Sequence, residues 1–174
     1  ILINGYNIYT EKEKLNGVIG FVPQDDLLIE ELTVYQNLYY SAKLCFSDYT
    51  EEQIDEAVNK VLEDLDLKAT ADLVVGNPLN KTISGGQRKR LNIALELIRE
   101  PLVMFVDEPT SGLSSMDSEM VMDLLKEQTL KGKLVIVNIH QPSSVIFKMF
   151  DKLLIMLPLS VAAGTDYQYA TVAV

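Results

Sequence analysis

The sequence predicts an α/β fold built on a parallel sheet, and three observations carry that reading. Short apolar runs at residues 18–22, 102–106 and 134–139 are separated by stretches of helical periodicity. The run Leu102-Val103-Met104-Phe105-Val106 has no polar alternation, the pattern of a strand buried on both faces of a parallel sheet. Polar groups follow each run directly: Gln24 after Pro23, the pair Asp107-Glu108, and His140. In a parallel sheet such strand ends converge on one edge, outside which ligands bind.

The elements follow in order. Leu2, Ile3, Ile8 and Tyr9 flank the turn signal Asn4-Gly5 and suggest two short strands or one bent edge strand. Val18 to Val22 reads as a buried strand stopped by Pro23, with a loop at Gln24-Asp25-Asp26. Thr33-Val34-Tyr35-Gln36 has capping-box form and opens a helix in which Val34, Leu38, Ala42 and Cys45 recur on one face. Thr50-Glu51-Glu52-Gln53 repeats the device before Ile54, Val58, Val61, Leu62 and Leu65. That second helix turns Glu51, Glu52, Asp55, Glu56, Glu63, Asp64 and Asp66 outward, as a solvated face or, alternatively, an acidic docking surface.

The turn-rich Val75-Gly76-Asn77-Pro78 leads to Ser84-Gly85-Gly86 and a third helix, with Leu91, Ala94, Leu95 and Ile98 on one side and Pro101 at its end. After the strand at 102–106 comes a helix from about Asp117 with Met120, Val121, Leu124 and Leu125. The strand from Leu134 to Ile139 then delivers His140. Ser143 or Ser144 caps a short helix through Phe150, and residues 152–157 form a last strand.

Composition narrows the function classes. At 174 residues the chain can bury one sizeable core, and 48% hydrophobic with 23% charged residues is ordinary globular usage. The lone Cys45 cannot form an internal bridge, which suits a reducing compartment. A net charge of −10 repels a polynucleotide backbone and weighs against a nucleic-acid partner. Against that background Lys81, Arg88, Lys89, Arg90 and Arg99 cluster around the glycine-rich helix start, as a local basic site for a triphosphate. The longest apolar stretch, 153–164, is broken by Pro158 and Ser160 and is shorter than the roughly 20 residues that cross a bilayer. The chain opens on Ile1 in strand-like sequence without an initiator Met, so a fragment of a longer protein is expected.

Three constellations carry chemistry. One carboxylate of Asp107-Glu108 can hold a Mg²⁺ shell while the other polarises a water, although a single acid at a strand end is also a common turn former or helix cap. Ser84-Gly85-Gly86 lets backbone approach a phosphate at the positive end of a helix, or is a flexible capped loop. His140, the only histidine, stands at a strand end beside Gln141-Pro142, where a ligand contact competes with a merely satisfied loop histidine.

Phe21-Val22-Pro23-Gln24, Ile83-Ser84-Gly85-Gly86-Gln87-Arg88-Lys89-Arg90, Phe105-Val106-Asp107-Glu108-Pro109-Thr110-Ser111-Gly112-Leu113 and Ile139-His140-Gln141-Pro142-Ser143 together resemble, in order, the ATPase domain of ATP-binding cassette (ABC) transporters. The last motif and the Arg-Lys-Arg segment are similar to the White and breast-cancer-resistance exporters, here expected in a bacterial form. The resemblance implies a P-loop NTPase-like, RecA-type core over residues 1–157, N-terminally truncated, with an inserted helical and signature subdomain at about 33–100.

It further implies ATP and Mg²⁺ as cofactors. Asp107 and Gln24 would serve the metal and Glu108 would be the general base. Gln24 and His140 would attend the catalytic centre, and Ser84, Gly85, Gly86, Gln87 and Asp117 would contact nucleotide. The D-loop would fall at Ser114-Ser115-Met116-Asp117, with Asp117 reached only after Ser115-Met116. Expected partners are a transmembrane domain and a second ATPase domain in a head-to-tail dimer, at the cytoplasmic face of a membrane. A non-transport cassette ATPase and a non-catalytic docking module are the alternatives. The pattern Gly-x-x-x-x-Gly-Lys-[Ser/Thr] does not occur in the 174 residues, so this segment alone is expected to be inactive. The tail 158–174 matches no part of the family and is β-prone from Tyr167, with a risk of strand pairing and aggregation.

Overall fold

A computed structural model of the chain describes residues 2–3, 5–15, 17–77, 82–156 and 170–173. Asn4, Pro78, Lys81, Pro158, Asp166 and Tyr167 therefore lie outside the described residues. The elements are β1 (Leu2–Ile3), β2 (Tyr6–Asn7), β3 (Ile19–Val22), α1 (Val34–Cys45), α2 (Glu51–Asp64), α3 (Gly85–Leu97) and β4 (Val103–Asp107). They continue as α4 (Ser115–Leu130), β5 (Leu134–Ile139), α5 (Ser144–Phe147), β6 (Leu153–Met156) and β7 (Ala170–Ala173).

β1 and β2 form a small antiparallel hairpin whose turn uses Gly5 at φ +83°, and its second strand is Tyr6–Asn7 rather than Ile8-Tyr9. The main sheet runs β3-β4-β5-β7-β6. β3, β4 and β5 are parallel in the register Phe21↔Phe105↔Ile136, so Val22, Val106 and Val137 also stand abreast. β7 enters antiparallel between β5 and β6. The parallel sheet expected from sequence is thus a mixed one. Its reversed strand comes from the tail, whose β-propensity was read from the sequence while its place inside the main sheet was not.

The helices form where local chemistry starts them. Thr33, Thr50 and Ser84 each accept from the third helical N–H while Gln36, Gln53 and Gln87 reach back to the cap amide. α4 begins two residues earlier than the sequence reading, because Ser114 rather than a residue near Asp117 supplies the cap. α5 is shorter than expected and is capped by Ser143.

α1, α2, α3 and α4 pack with the sheet around one core that includes Leu38, Leu62, Leu91, Leu125 and Ile139. α3 lies against α1, α2, α4 and β3 and is buried almost all round, not on one side as its apolar spacing suggested. Leu95, expected on that face, is only partly buried. The sheet is likewise covered unevenly. Met104 and Val106 are buried, but Phe105 is exposed, so β4 is not buried on both faces as its apolar run predicted. Val103, on the same face as Phe105, is buried, so that second face is exposed at Phe105 and, at the sheet edge, at Phe21.

Candidate functional site

Gln24 and His140 follow the carboxyl ends of β3 and β5, and Asp107 ends β4 with Glu108 just after it; the three strands are adjacent and parallel, so these residues come to one edge of the sheet. The Gln24 amide Nε2 donates to Glu108 Oε2 at 3.0 Å. Asn138 Nδ2 donates to Asp107 Oδ1 at 2.7 Å, from the paired position on β5. The Glu108 N–H continues the β4–β5 ladder one step beyond the strand by donating to the Asn138 carbonyl at 2.9 Å. Each carboxylate is therefore oriented by one amide side chain and keeps further acceptor capacity.

Two of the four described non-glycine residues with positive φ lie here. Glu108 has φ 40° and Gln141 φ 48°, a left-handed conformation that non-glycine residues seldom adopt. Both precede a proline, Pro109 and Pro142, and both line a cavity of about 290 Å³ with Thr110, Ser111, Ser115 and His140. The wall is polar, the shape open, and a carboxylate and an imidazole face the same space. Such a place can take a hydrated or phosphate-bearing ligand and present a base to a water.

The glycine-rich turn builds a second wall. Ser84 caps α3, and Gly85 and Gly86 occupy its first two positions. Gly86 has no room for a side chain, since a Cβ there would overlap the Asp117 carboxylate. Asp117 itself accepts from the Ser114 hydroxyl at 2.8 Å, and its own N–H donates to Ser114 Oγ at 3.1 Å. Asp117 is therefore turned onto Gly86 and is not among the residues lining the 290 Å³ cavity; nor are Ser84, Gly85, Gly86 and Gln87. Leu113 links the two walls, because it lines the cavity and packs near Gly85.

The basic cluster read from the sequence has a different place. Arg88, Lys89 and Arg90 are buried in α3 and bonded within the chain, not displayed to an incoming triphosphate. Three cations in helical succession point in three directions, so their adjacency in sequence does not make a surface patch. Arg99 pairs with Glu96 at 2.5 Å and lines a separate groove of about 180 Å³ with Phe21, Leu27, Cys45 and Leu95. Burial pushes the Cys45 thiol up from its ordinary value.

Asn138 escaped the sequence reading. The signal was available, as the single polar residue in the run 134–139 at the position paired with Asp107. Among the described residues no group of three or more His, Cys, Asp or Glu side chains could hold a metal ion. Two adjacent carboxylates without such a cage fit Mg²⁺ arriving with phosphates, because that ion commonly takes one or two carboxylates and fills the rest from substrate and water. No described helix is long and apolar enough to cross a membrane.

Comparison with known proteins bears on the family. A family profile described as "ABC transporter" matches residues 1–111. The chain is 40% identical over 157 residues to ABC transporter G family member 28 of Arabidopsis thaliana, covering 90% of this chain and 14% of that protein. It is 44% identical over 138 residues to the broad substrate specificity ATP-binding cassette transporter ABCG2 of Bos taurus, covering 79% of this chain and 21% of the relative. Among solved structures, CbiO1 of Clostridium perfringens, described as part of the ABC transporter complex CbiONQ, superposes with a TM-score of 0.67 at 32% identity. That match covers 78% of this chain and 53% of the other. The chain thus spans well under a quarter of the length of these two curated relatives.

Proposed function

The chain belongs to the ABC transporter family, and from that premise we propose that it supplies the latter part of a Mg·ATP-hydrolysing site that drives transport. Residues 1–157 are assigned to the ATPase domain and about 33–100 to its helical and signature subdomain. The observation that carries the reading is the hydrogen bond from Gln24 to Glu108, which lines the same cavity as His140. It ties the end of β3 to the end of β4 through the one carboxylate placed to accept a proton from water.

The roles follow from position. Asp107, oriented by Asn138, and Gln24 serve Mg²⁺, whose bound charge would neutralise that of the phosphates. Glu108 is the general base, worth on the order of 10²–10⁴-fold in rate. His140 contacts the terminal phosphate. Ser84, Gly85, Gly86 and Gln87 offer backbone and hydroxyl donors at the N-terminus of α3 to nucleotide held by a second copy in a head-to-tail pair. Asp117 sets the packing of Gly86. The groove between β3, α1 and α3, with Phe21, Leu27 and Leu95 beside Arg99, is the seat for the transmembrane partner.

The test is ATP turnover by the full-length protein beside its Glu108→Gln form. We expect turnover to fall by about 100-fold or more while Mg·ATP binding persists. Turnover that survives the substitution removes Glu108 as base. A full-length protein that binds no ATP leaves the docking-module reading.

A further inference from the structure

Arg88, Lys89 and Arg90 are 6%, 7% and 5% exposed. Three buried cations in succession cost free energy unless each is bonded, and each reaches a different neighbour. The Arg88 guanidinium grips Asp26 through Nε at 2.9 Å and Nη2 at 3.1 Å, and donates through Nη1 to the Gly76 carbonyl at 2.5 Å. Lys89 Nζ donates to the Gln24 backbone carbonyl at 2.7 Å. Arg90 turns to Met120 on α4, with Nη1 3.6 Å from the sulfur, and is the least satisfied of the three, since its buried Nε has no hydrogen-bond partner.

Residues 24–26 are thus held at both ends from one turn of α3. Lys89 holds the backbone of Gln24 while the side chain of that same residue donates to Glu108. Burial pushes the Lys89 ammonium down from its ordinary value, while Asp26, Asp25, Asp107 and Glu108 act to keep it charged.

We propose that Lys89 is a positioning residue for the hydrolytic step. By anchoring the Gln24 carbonyl it sets the distance from which the Gln24 amide meets Glu108, and it links that distance to the start of the glycine-rich helix. α3 begins at Gly85, one turn before Lys89, so a shift of the helix start is passed to Gln24 through a single rigid turn. Removing the ammonium leaves a carbonyl without its charged donor and frees the loop to drift. A displacement of about 1 Å at a catalytic group is worth on the order of 100-fold in rate. The inference rests on the roles given to Gln24 and Glu108 above.

The experiment compares Lys89→Met, Lys89→Arg, Gln24→Ala and the Lys89→Met/Gln24→Ala double variant of the full-length protein, reading kcat and Mg·ATP affinity. We expect Lys89→Met to lower kcat about ten-fold or more with affinity unchanged, since a charge-assisted bond is lost only where it positions the reacting groups. Lys89→Arg should recover part of that loss. In the Gln24→Ala background Lys89→Met should cost less than about two-fold, because the group it positions is gone.

A kcat within about two-fold of wild type, a loss in affinity alone, or losses that multiply in the double variant overturn the proposal. If Lys89→Met does not fold, Lys89→Arg carries the same comparison: at least about a three-fold loss in kcat with Gln24 present and none without it supports positioning, and equal effects in both backgrounds overturn it. The Glu108→Gln control separates the two failures. If that form turns over like wild type, the roles of the site fall. If it is dead and only Lys89 is silent, this inference falls alone.

Discussion

Two neighbouring glycines differ in what they tolerate. Neither Gly85 nor Gly86 has positive φ, so alanine is conformationally allowed at both. At Gly85 a Cβ would sit 3.5 Å from Leu113 Cδ2, an ordinary contact, and replacing a helical glycine gains up to about 1 kcal/mol in propensity. At Gly86 the same atom overlaps Asp117, which Ser114 holds in place. Gly85→Ala should leave the melting temperature unchanged or raised, whereas Gly86→Ala should destabilise by roughly 1–3 kcal/mol, and denaturant titration separates them. The sequence made Gly86 legible as a close-approach position but assigned the approach to a phosphate. What it could not convey is that a carboxylate from 31 residues downstream already occupies that space. The partner of Lys89 was hidden for the same reason, since it acts through Gln24, distant in sequence.

Element boundaries were legible wherever a local device sets them. All three capping boxes form as Thr33, Thr50 and Ser84 predict, because cap and N3 partner lie within four residues. α4 was misplaced since Ser114 acts with no Glu or Gln at N3 to announce it. How α1 meets α2 is not local. There the Tyr35 hydroxyl donates to Asp55 Oδ1 at 2.6 Å, Tyr39 to Glu51, and Lys43 pairs with Glu51 at 2.6 Å. Burial, followed by the Asp55 carboxylate, pushes the Tyr35 phenol up to about 12. A folded-state value raised above the unfolded one means stability that is complete below pH ~10 and lost as pH climbs toward about 12. Tyr35→Phe should therefore cost about 1 kcal/mol at pH 8. The difference between variant and wild type in urea titration should shrink at pH 11; a constant gap would mean the phenol does not work through its proton.

At the scale of the whole molecule, the sheet follows alternation more closely than its apolar runs suggest. Val22, Met104, Val106, Val135, Val137 and Ile139 face the helices and are buried. The opposite face carries Phe21, 55% exposed, Phe105, 38%, and Leu134, 42%, with Phe21 and Phe105 paired in register. An unbroken apolar strand is the mark of a sheet covered twice, and β4 has that sequence while its second face, buried at Val103, is left exposed at Phe105 among the described residues. The mismatch between sequence and cover is itself informative: β4 is written for a second layer. In the isolated 174-residue chain the uncovered aromatic pair is a contiguous apolar surface and should drive self-association. Phe105→Thr puts a β-branched residue of good strand propensity in place of the aromatic one and removes the exposed ring. It should cost little stability because the ring is not fully buried, and it should shift the sedimentation profile of the isolated chain toward monomer. In the full-length protein the same substitution should instead lower stability by about 2–4 kcal/mol, the range for losing a buried aromatic side chain. If Phe105→Thr behaves alike in both contexts, the face is not covered by the rest of the protein, and the apolar run of β4 needs another cause.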